Sequence, residues 1–252
     1  MARGILFPAG LTVLTIVVLV HQICSAEDCP PSTCGSIRNI SYPFRLEGDP
    51  ENCGDSRYAL SCENNQTVLN LYDGKYYVRQ INYNNYTIRV VDPGILTAND
   101  SFIARYPLGY DNFSSGDPYD VSHQNIPSSV VFLKCEKPVK SPWYFDISCL
   151  KNGVYSSDSS LSHSKKYTYF LFSSYTGVVE DLCQVAQVSL SPWPWSANDD
   201  LRNNISCTAV RNELLFGFQL FWYQVYCESR CGRNDYCYLN AENNVTCNGN
   251  GA

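Results

Sequence analysis

The chain has 252 residues, 13 of them cysteine, and a formal net charge of −6 at pH 7. So many cysteines indicate disulfides formed in an oxidising compartment and argue against a protein of the reducing cytosol. Hydrophobic residues make up 44% of the chain, enough for a packed core, so a chain disordered throughout is excluded. The length allows one or two domains of ordinary size.

Residues 1–26 have the pattern of a secretory signal peptide. Arg3 supplies a positive charge, Leu11–Val20 is apolar, and Cys24 and Ala26 place small residues where a signal peptidase requires them. An uncleaved anchor is the alternative, but the apolar run is short for a membrane span of about 20 residues. Cleavage would remove Cys24 and leave twelve cysteines, an even number. We therefore expect a secreted, extracellular protein.

The next elements in chain order are mostly β-strands. The segments Tyr76–Ile81 and Tyr86–Val91 are rich in β-branched and aromatic residues, and the turn-like Asn82–Asn85 between them predicts a hairpin. Asp92–Gly94 ends the second strand with turn residues. Residues 95–128 have the composition of long surface loops.

Further strands and one short helix are predicted beyond residue 128. The strand candidates are Val130–Leu133, Tyr167–Phe172 and Val185–Val188, and Ala197–Leu201 could begin a short helix. The apolar run Leu214–Val225 is too short to span a membrane, and Trp222 within it is expected to be buried. The predicted fold class is mainly β, a disulfide-rich extracellular protein with two small β-rich units and long loops.

The twelve remaining cysteines fall into a group of four and a group of eight, separated by 72 residues. This grouping predicts a first unit at residues 27–134 and a second at 135–252, with no disulfide needed between them. The pairing within each unit stays open. A zinc cluster in the last four is the alternative, but export makes disulfides the stronger interpretation. The cysteines expected in disulfides are Cys29, Cys34, Cys53, Cys62, Cys135, Cys149, Cys183, Cys207, Cys227, Cys231, Cys237 and Cys247.

Seven Asn-x-Ser/Thr sequons support export. Any one of them could occur by chance in a chain so rich in asparagine. Together with the signal peptide they predict a glycosylated surface. The acceptor residues would be Asn39, Asn65, Asn85, Asn99, Asn112, Asn204 and Asn244.

Two strings of residues resemble a known family. Cys34–Phe44 reads Cys-Gly-Ser-Ile-Arg-Asn-Ile-Ser-Tyr-Pro-Phe and is followed by Cys53 and by Tyr58–Cys62, which resembles the galacturonan-binding domain of plant wall-associated receptor kinases. Gly217–Trp222 and the closing four cysteines resemble the carboxy-terminal domain of the same kinases. The whole is similar to the ectodomain of a leaf-rust-resistance-type receptor-like kinase.

The resemblance implies an extracellular, nonenzymatic module that binds pectin or oligogalacturonides in the plant cell wall. It implies a location in the apoplast, or on the outer face of the plasma membrane if the chain belongs to a longer receptor. A co-receptor would be a further partner, and no nucleic-acid partner is expected. Any kinase activity would lie in a domain outside this sequence.

The charge balance limits how a galacturonan could bind. Galacturonan is a polyanion, whereas residues 27–134 carry 8 basic and 13 acidic side chains. Binding therefore needs a local basic cluster or bridging calcium, and no other cofactor is expected. Arginine forks pair well with carboxylates. The candidate ligand-binding residues are Arg38, Tyr42, Arg45, Arg79 and Arg89.

Each of these candidates has a structural alternative. The arginines could be solvated residues on strand faces. Tyr42, like Phe44 two residues later, has the pattern of a core aromatic more than of a ligand platform.

No motif with a catalytic mechanism is present, so a nonenzymatic protein is expected. Beyond the signal peptide the two histidines, His123 and His163, lie in polar surroundings, and no kinase signature or nucleophile elbow occurs. Two alternatives to pectin binding remain open. One is a protein-interaction ectodomain that recognises a peptide or co-receptor in plant defence signalling, and the other is an apoplastic hydrolase.

Overall fold

A computed structural model of the chain describes residues 29–96, 104–114, 116–121, 128–141, 144–146, 167–172, 179–191, 207–231 and 236–248. Fourteen strands, two α-helices and three short 3-10 helices (Glu51–Cys53, Ser56–Tyr58 and Tyr110–Asn112) lie within these residues. The strands are β1 Ser32–Cys34, β2 Ile37–Ile40, β3 Arg45–Leu46, β4 Ala59–Glu63, β5 Gln66–Leu71, β6 Gly74–Asn82, β7 Thr87–Val91, β8 Ser128–Cys135, β9 Phe145–Asp146, β10 Tyr167–Phe172, β11 Cys183–Ser191, β12 Phe218–Phe221, β13 Tyr236–Leu239 and β14 Val245–Asn248. The helices are α1 Cys207–Phe216 and α2 Gln224–Cys231. The predicted mainly β, disulfide-rich fold class is confirmed.

The largest sheet has six strands in the order β12-β7-β6-β5-β4-β3. All neighbours pair antiparallel except β3 and β4, which run parallel. The predicted hairpin is confirmed as β6 and β7, with Ile81 opposite Ile88. The turn between β4 and β5 consists of Asn64 and Asn65, whose φ angles of 50° and 62° are those of the primed turns that tight hairpins favour.

One face of this sheet forms the main core. Side chains alternate between the two faces along the strands. In β6, Tyr76 and Val78 are buried, whereas Lys75, which precedes them, is exposed. The β1–β2 hairpin is joined to β5 by the hydroxyl of Thr67, which donates a hydrogen bond to the Cys34 carbonyl oxygen at 2.8 Å. The buried residues of the core include Ile37, Ile40, Phe44, Tyr58, Leu60, Leu69, Ile88, Val90, Phe218, Leu220 and Trp222.

A second sheet has four strands in the order β11-β8-β10-β9, all antiparallel. Its three longer strands contain the strand candidates predicted after residue 128, and those predictions are confirmed. Both faces of β8 are covered, because Val130 and Phe132 pack in one cluster while Val131 and Leu133 pack in another. Complete burial on both faces explains why this strand reads as an unbroken apolar run.

The segment between the sheets is less superficial than its composition predicts. Within the described part of residues 95–128, Ile95, Leu108, Tyr119 and Val121 are buried. Leu108 also accepts a backbone hydrogen bond from Leu190 of β11 at 2.9 Å, which ties this segment to the second sheet. The prediction of surface loops is therefore wrong for these residues. They are isolated apolar residues in a polar segment, so the sequence gives no periodic pattern that would indicate their burial.

The two helices were not predicted from the sequence. Helix α1 ends at Phe216. The amide of the next residue, Gly217, donates to the carbonyl oxygens of Glu213 and Leu214, and its φ of +83° is the left-handed value common just after helix ends. The chain then enters β12 directly. The short helix suggested at Ala197–Leu201 lies outside the described residues, as does the predicted signal peptide. Within the described part of the chain, no helix is long and apolar enough to cross a membrane.

Ten of the twelve expected cysteines form five disulfides in the described residues. None of the five joins the group of four to the group of eight. Cys149 and the side chain of Cys207 lie outside what the structure describes. The five pairs are Cys29–Cys53, Cys34–Cys62, Cys135–Cys183, Cys227–Cys237 and Cys231–Cys247.

The six-stranded sheet is built from both ends of the chain. Phe218–Phe221 pairs with Thr87–Val91, so β12 extends a sheet whose other strands lie before residue 92. Asp120 bridges to Phe221 on the outer side of β12, with backbone hydrogen bonds of 2.9 and 2.7 Å. The division near Lys134 stays a prediction, but the segments on its two sides share this sheet and its core.

Candidate functional site

The centre of the main core is a cluster of aromatic rings around Trp222, which is fully buried. Its ring lies edge-on to Phe44, Tyr83 and Tyr86, with centroid distances of 5.2, 5.5 and 5.2 Å. Edge-to-face packing of this kind stabilises an aromatic pair beyond the burial of its area. The prediction that Trp222 belongs to the core is confirmed, and so is core packing for Phe44.

The same cluster reaches the surface through three tyrosines, Tyr42, Tyr86 and Tyr226, which we call the tyrosine face. Tyr42 is 51% exposed, and its ring lies edge-on to Tyr226 at 6.3 Å. Tyr226 in turn contacts Tyr86 at 5.4 Å and lies 6.1 Å from Trp222. Tyr42 is therefore held from one side by a ring that is itself fixed to the core, while half of its surface stays open.

Two backbone features position the tyrosine face. Tyr42 lies in a turn and precedes Pro43 through a cis peptide bond. Tyr86 ends the turn between β6 and β7 with a φ of 54°, a left-handed conformation that is uncommon for a bulky residue. Its carbonyl oxygen accepts the Trp222 amide at 2.9 Å, so the turn and the core tryptophan are directly joined.

Helix α2 carries Tyr226 and two charged side chains, one in an ion pair and one without an ion pair in the described residues. Glu228 is paired with Arg57, whose guanidinium also binds Asp55, at distances of 2.6 and 2.7 Å. The side-chain hydrogen bond from Arg57 lowers the pKa of Asp55 below its ordinary value. Arg230 is exposed and forms no ion pair within the described residues, so it is the uncompensated charge of this helix.

Burial raises the pKa of Tyr226, and the neighbouring tyrosines, led by Tyr42, act in the same direction. The positive charge of Arg230 acts in the opposite direction, which places it within electrostatic reach of the Tyr226 ring. Tyr226 and Arg230 are four residues apart on α2, the spacing that puts two side chains on the same side of a helix.

The five ligand-binding candidates from the sequence lie in different settings. Arg38 and Arg79 are exposed on β2 and β6, and Tyr42 is half exposed. Arg45 is only partly exposed and donates from Nη1 to the carbonyl oxygens of Leu46 and Asp49, which holds a turn. No hydrogen bond, ion pair or ring contact within the described residues joins any two of the five.

Arg89 has a packing role on the sheet face opposite the main core. Its guanidinium carbon lies 3.6 Å from the centroid of the Phe216 ring, a cation–π contact. The Nε and Nη1 atoms are buried without a hydrogen-bond partner in the described residues. Burial lowers the pKa of Arg89, and the charge of Glu213 opposes this. These two donor atoms are therefore closed to a ligand in this structure.

Sequence reasoning missed Tyr226 and Arg230. Their spacing in Gln-Val-Tyr-Cys-Glu-Ser-Arg-Cys could have placed them on one side of a helix. Nothing in the sequence signals that this helix lies against Tyr42, because the two are separated by more than half of the chain.

The conserved-domain model described as wall-associated receptor kinase galacturonan-binding matches residues 29–92. This part of the chain therefore resembles the ectodomain of wall-associated receptor kinases. A leaf rust 10 disease-resistance locus receptor-like protein kinase of Arabidopsis thaliana is 34% identical over 67 residues, which is 25% of this chain and 10% of that protein. The predicted resemblance to this family is thereby confirmed.

A RING-H2 finger protein of Arabidopsis thaliana, ATL21A, is 32% identical over 133 residues. The match covers 51% of this chain and 33% of that protein. The chain thus spans a third or less of the length of these two curated relatives. No solved structure matches it. The resemblance of residues 135–252 to the kinase carboxy-terminal domain stays a prediction.

The segment that matches the galacturonan-binding family ends at a buried carboxylate. Asp92 Oδ1 accepts hydrogen bonds from the amides of Gly94 and Arg105 at 2.6 and 2.7 Å, and Oδ2 accepts one from the Tyr106 amide at 2.7 Å. Asp92 ends β7, as predicted. It also anchors the backbone 14 residues further along the chain, at Tyr106. This role is structural, because backbone amides occupy both of its oxygens.

The described residues contain no group of three or more histidine, cysteine, aspartate or glutamate side chains that could hold a metal ion. Calcium bridging between the domain and a polyanion stays a prediction. Occupancy of the sequons also stays a prediction, and two of them, Asn99 and Asn204, lie outside the described residues. Of the other five, Asn85 is half-buried and the exposed ones are Asn39, Asn65, Asn112 and Asn244.

Proposed function

We propose that this chain is an extracellular, nonenzymatic module that binds galacturonan, the acidic backbone of pectin, in the plant cell wall. The observation that carries this proposal is the match of residues 29–92 to the galacturonan-binding family. The absence of a catalytic motif from the sequence supports a binding role. The proposed location is the apoplast, or the outer face of the plasma membrane if the chain belongs to a longer receptor.

The fold suits a binding module. Two disulfides, Cys29–Cys53 and Cys34–Cys62, close short loops within the matched segment. The tyrosine face is fixed to the main core, so little conformational entropy is lost when a ligand orders it. Exposed, rigid tyrosines provide contact area with a polar hydroxyl at the tip, which suits a saccharide better than an apolar ligand.

The net charge of the first unit opposes binding of a polyanion at long range. Salt screens this repulsion beyond about 8 Å at physiological ionic strength, so the local arrangement of charges decides the outcome. Exposed Arg38 and Arg79 are available for carboxylate contacts, whereas Arg45 and Arg89 are engaged within the protein.

The direct test is calorimetric titration of the secreted, glycosylated chain with oligogalacturonides, with and without calcium. Saturable binding that neutral oligosaccharides of the same length do not reproduce would support the proposal. Absence of binding in both conditions would overturn it and leave recognition of a peptide or co-receptor as the alternative to pursue. Titration to millimolar ligand detects binding as weak as a Kd of about 1 mM, which corresponds to about −4 kcal/mol.

A further inference from the structure

The tyrosine face and the outer side of α2 together have the chemistry of a site for a uronic acid. We propose that Tyr42, held in place by Tyr226, stacks on a sugar ring while Arg230 pairs with the carboxylate of that sugar. This inference rests on the proposed function and adds a specific site to it. The site is composite, because Arg230 and Tyr226 lie outside the segment that matches the galacturonan-binding family.

The aromatic half of the site follows from exposure and orientation. Tyr42 keeps 51% of its surface open although Tyr226 supports it from the side at 6.3 Å. An exposed ring held in place differs from an incidental surface tyrosine, since its orientation is fixed before a ligand arrives. Tyr86 adds a backbone in the left-handed region at the same place, and strained conformations of bulky residues cluster at ligand sites.

The charged half follows from how the ions of this region are paired. Arg57 binds both Asp55 and Glu228, at 2.7 and 2.6 Å, so the acid of α2 is paired with an arginine other than Arg230. Arg230 then remains as an exposed fork with no ion pair in the described part of the chain. An arginine fork binds a carboxylate through two parallel hydrogen bonds, which neither a hydroxyl nor a methyl ester reproduces.

The combination selects a ligand class. Stacking alone would accept any hexose ring, and an exposed arginine alone would accept any anion. A sugar ring that carries a carboxylate at its edge can make both the stacking contact and the pair with arginine. Galacturonic acid in its unesterified form is such a ring. The site therefore predicts that methyl esterification weakens binding, because it removes the charge that Arg230 recognises.

The test compares unesterified and methyl-esterified oligogalacturonides of one length on the full secreted chain by calorimetry. Arg230→Gln should weaken binding of the unesterified form about fivefold, the range of an exposed charge pair, and leave the esterified form unchanged. Tyr42→Ala should weaken both forms, whereas Tyr42→Phe should keep wild-type affinity because it keeps the ring. Arg105→Gln, at an exposed arginine outside the tyrosine face, is the control for net charge.

The outcomes separate the two proposals. If the wild type binds neither oligosaccharide, the proposed function itself fails. If the wild type binds but Tyr42→Ala or Arg230→Gln retains full affinity, the composite site is wrong and the binding function stands. An equal loss for both ligands in Arg230→Gln would overturn the pairing of Arg230 with the carboxylate. Melting temperatures equal to the wild type would show that the exposed substitutions leave the fold intact.

Discussion

Replacing Asp92 by asparagine should destabilise the protein although the two side chains have nearly the same shape. The carboxylate accepts three backbone amides at 2.6–2.7 Å while it is 5% exposed. An asparagine oxygen can keep two of these bonds in weaker, uncharged form. Those two are the bonds from the amides of Gly94 and Arg105 to the Oδ1 position, so the asparagine NH2 group would then point at the third N–H, that of Tyr106.

The expected loss follows from these contacts. Hydrogen bonds to a charged group contribute about 1.5–3 kcal/mol each, and uncharged ones about half as much. One lost bond and two weakened ones give a decrease in the free energy of unfolding of about 3–6 kcal/mol. The matched control is Asp117→Asn, because Asp117 accepts hydrogen bonds from the Ser114 amide and the Tyr72 hydroxyl at an exposed position. Its loss should stay below about 1 kcal/mol.

Guanidinium unfolding followed by circular dichroism would measure both variants. Hydrogen exchange would report on the anchored segment, where the amides of residues 105 and 106 should lose protection in Asp92→Asn and keep it in Asp117→Asn. If Asp92→Asn unfolded with the wild-type free energy and those amides stayed protected, the carboxylate would not be the anchor that its geometry indicates.

Three further outcomes are expected. Gly217→Ala should weaken the pairing of β12 with β7, because the added Cβ would lie 2.2 Å from the Val90 carbonyl oxygen at a left-handed φ, whereas Gly48→Ala meets no atom within 4 Å and should keep the wild-type melting temperature. Asp55 has a lowered pKa when folded, so its contribution is present above the unfolded value of about 3.9 and is lost as the pH falls through the folded value. The decline in stability below about pH 4 should therefore be shallower in Arg57→Gln, and an identical pH profile would refute the pairing. Reduction of the disulfides should unfold the chain, since each bridge of this kind contributes about 2–5 kcal/mol, and an unchanged melting curve would contradict that role.

The sequence predicted local pairings well because they depend on neighbouring residues. The β6–β7 hairpin is encoded by two β-rich runs around an asparagine-rich turn. Helix α1 and β12 were not predicted, and the reason is again local. Gly217 divides the apolar run Leu214–Val225, so that the end of α1 lies before the glycine and β12 lies after it. The glycine is visible in the sequence, but only its φ of +83° shows that it separates a helix from a strand.

The candidate site was less predictable because it depends on contacts between distant residues. Tyr42 and Phe44 have the spacing of two residues on one strand face, which predicted core packing for both. Phe44 is buried, but Tyr42 is 51% exposed, so the prediction is wrong for Tyr42. The reason is the turn at Tyr42–Pro43, which breaks the alternation before β3 begins at Arg45.

The pairing of β12 with β7 has a consequence for biosynthesis. During vectorial synthesis the β7 edge must wait for about 130 further residues before its partner and Trp222 emerge, which takes roughly ten seconds at ordinary elongation rates. The Cys29–Cys53 and Cys34–Cys62 bridges can close long before that. The nascent amino-terminal half would thus pass this interval oxidised but incomplete, with an unpaired strand edge that invites association with other chains. A chaperone that covered the β7 edge during this interval would prevent such association.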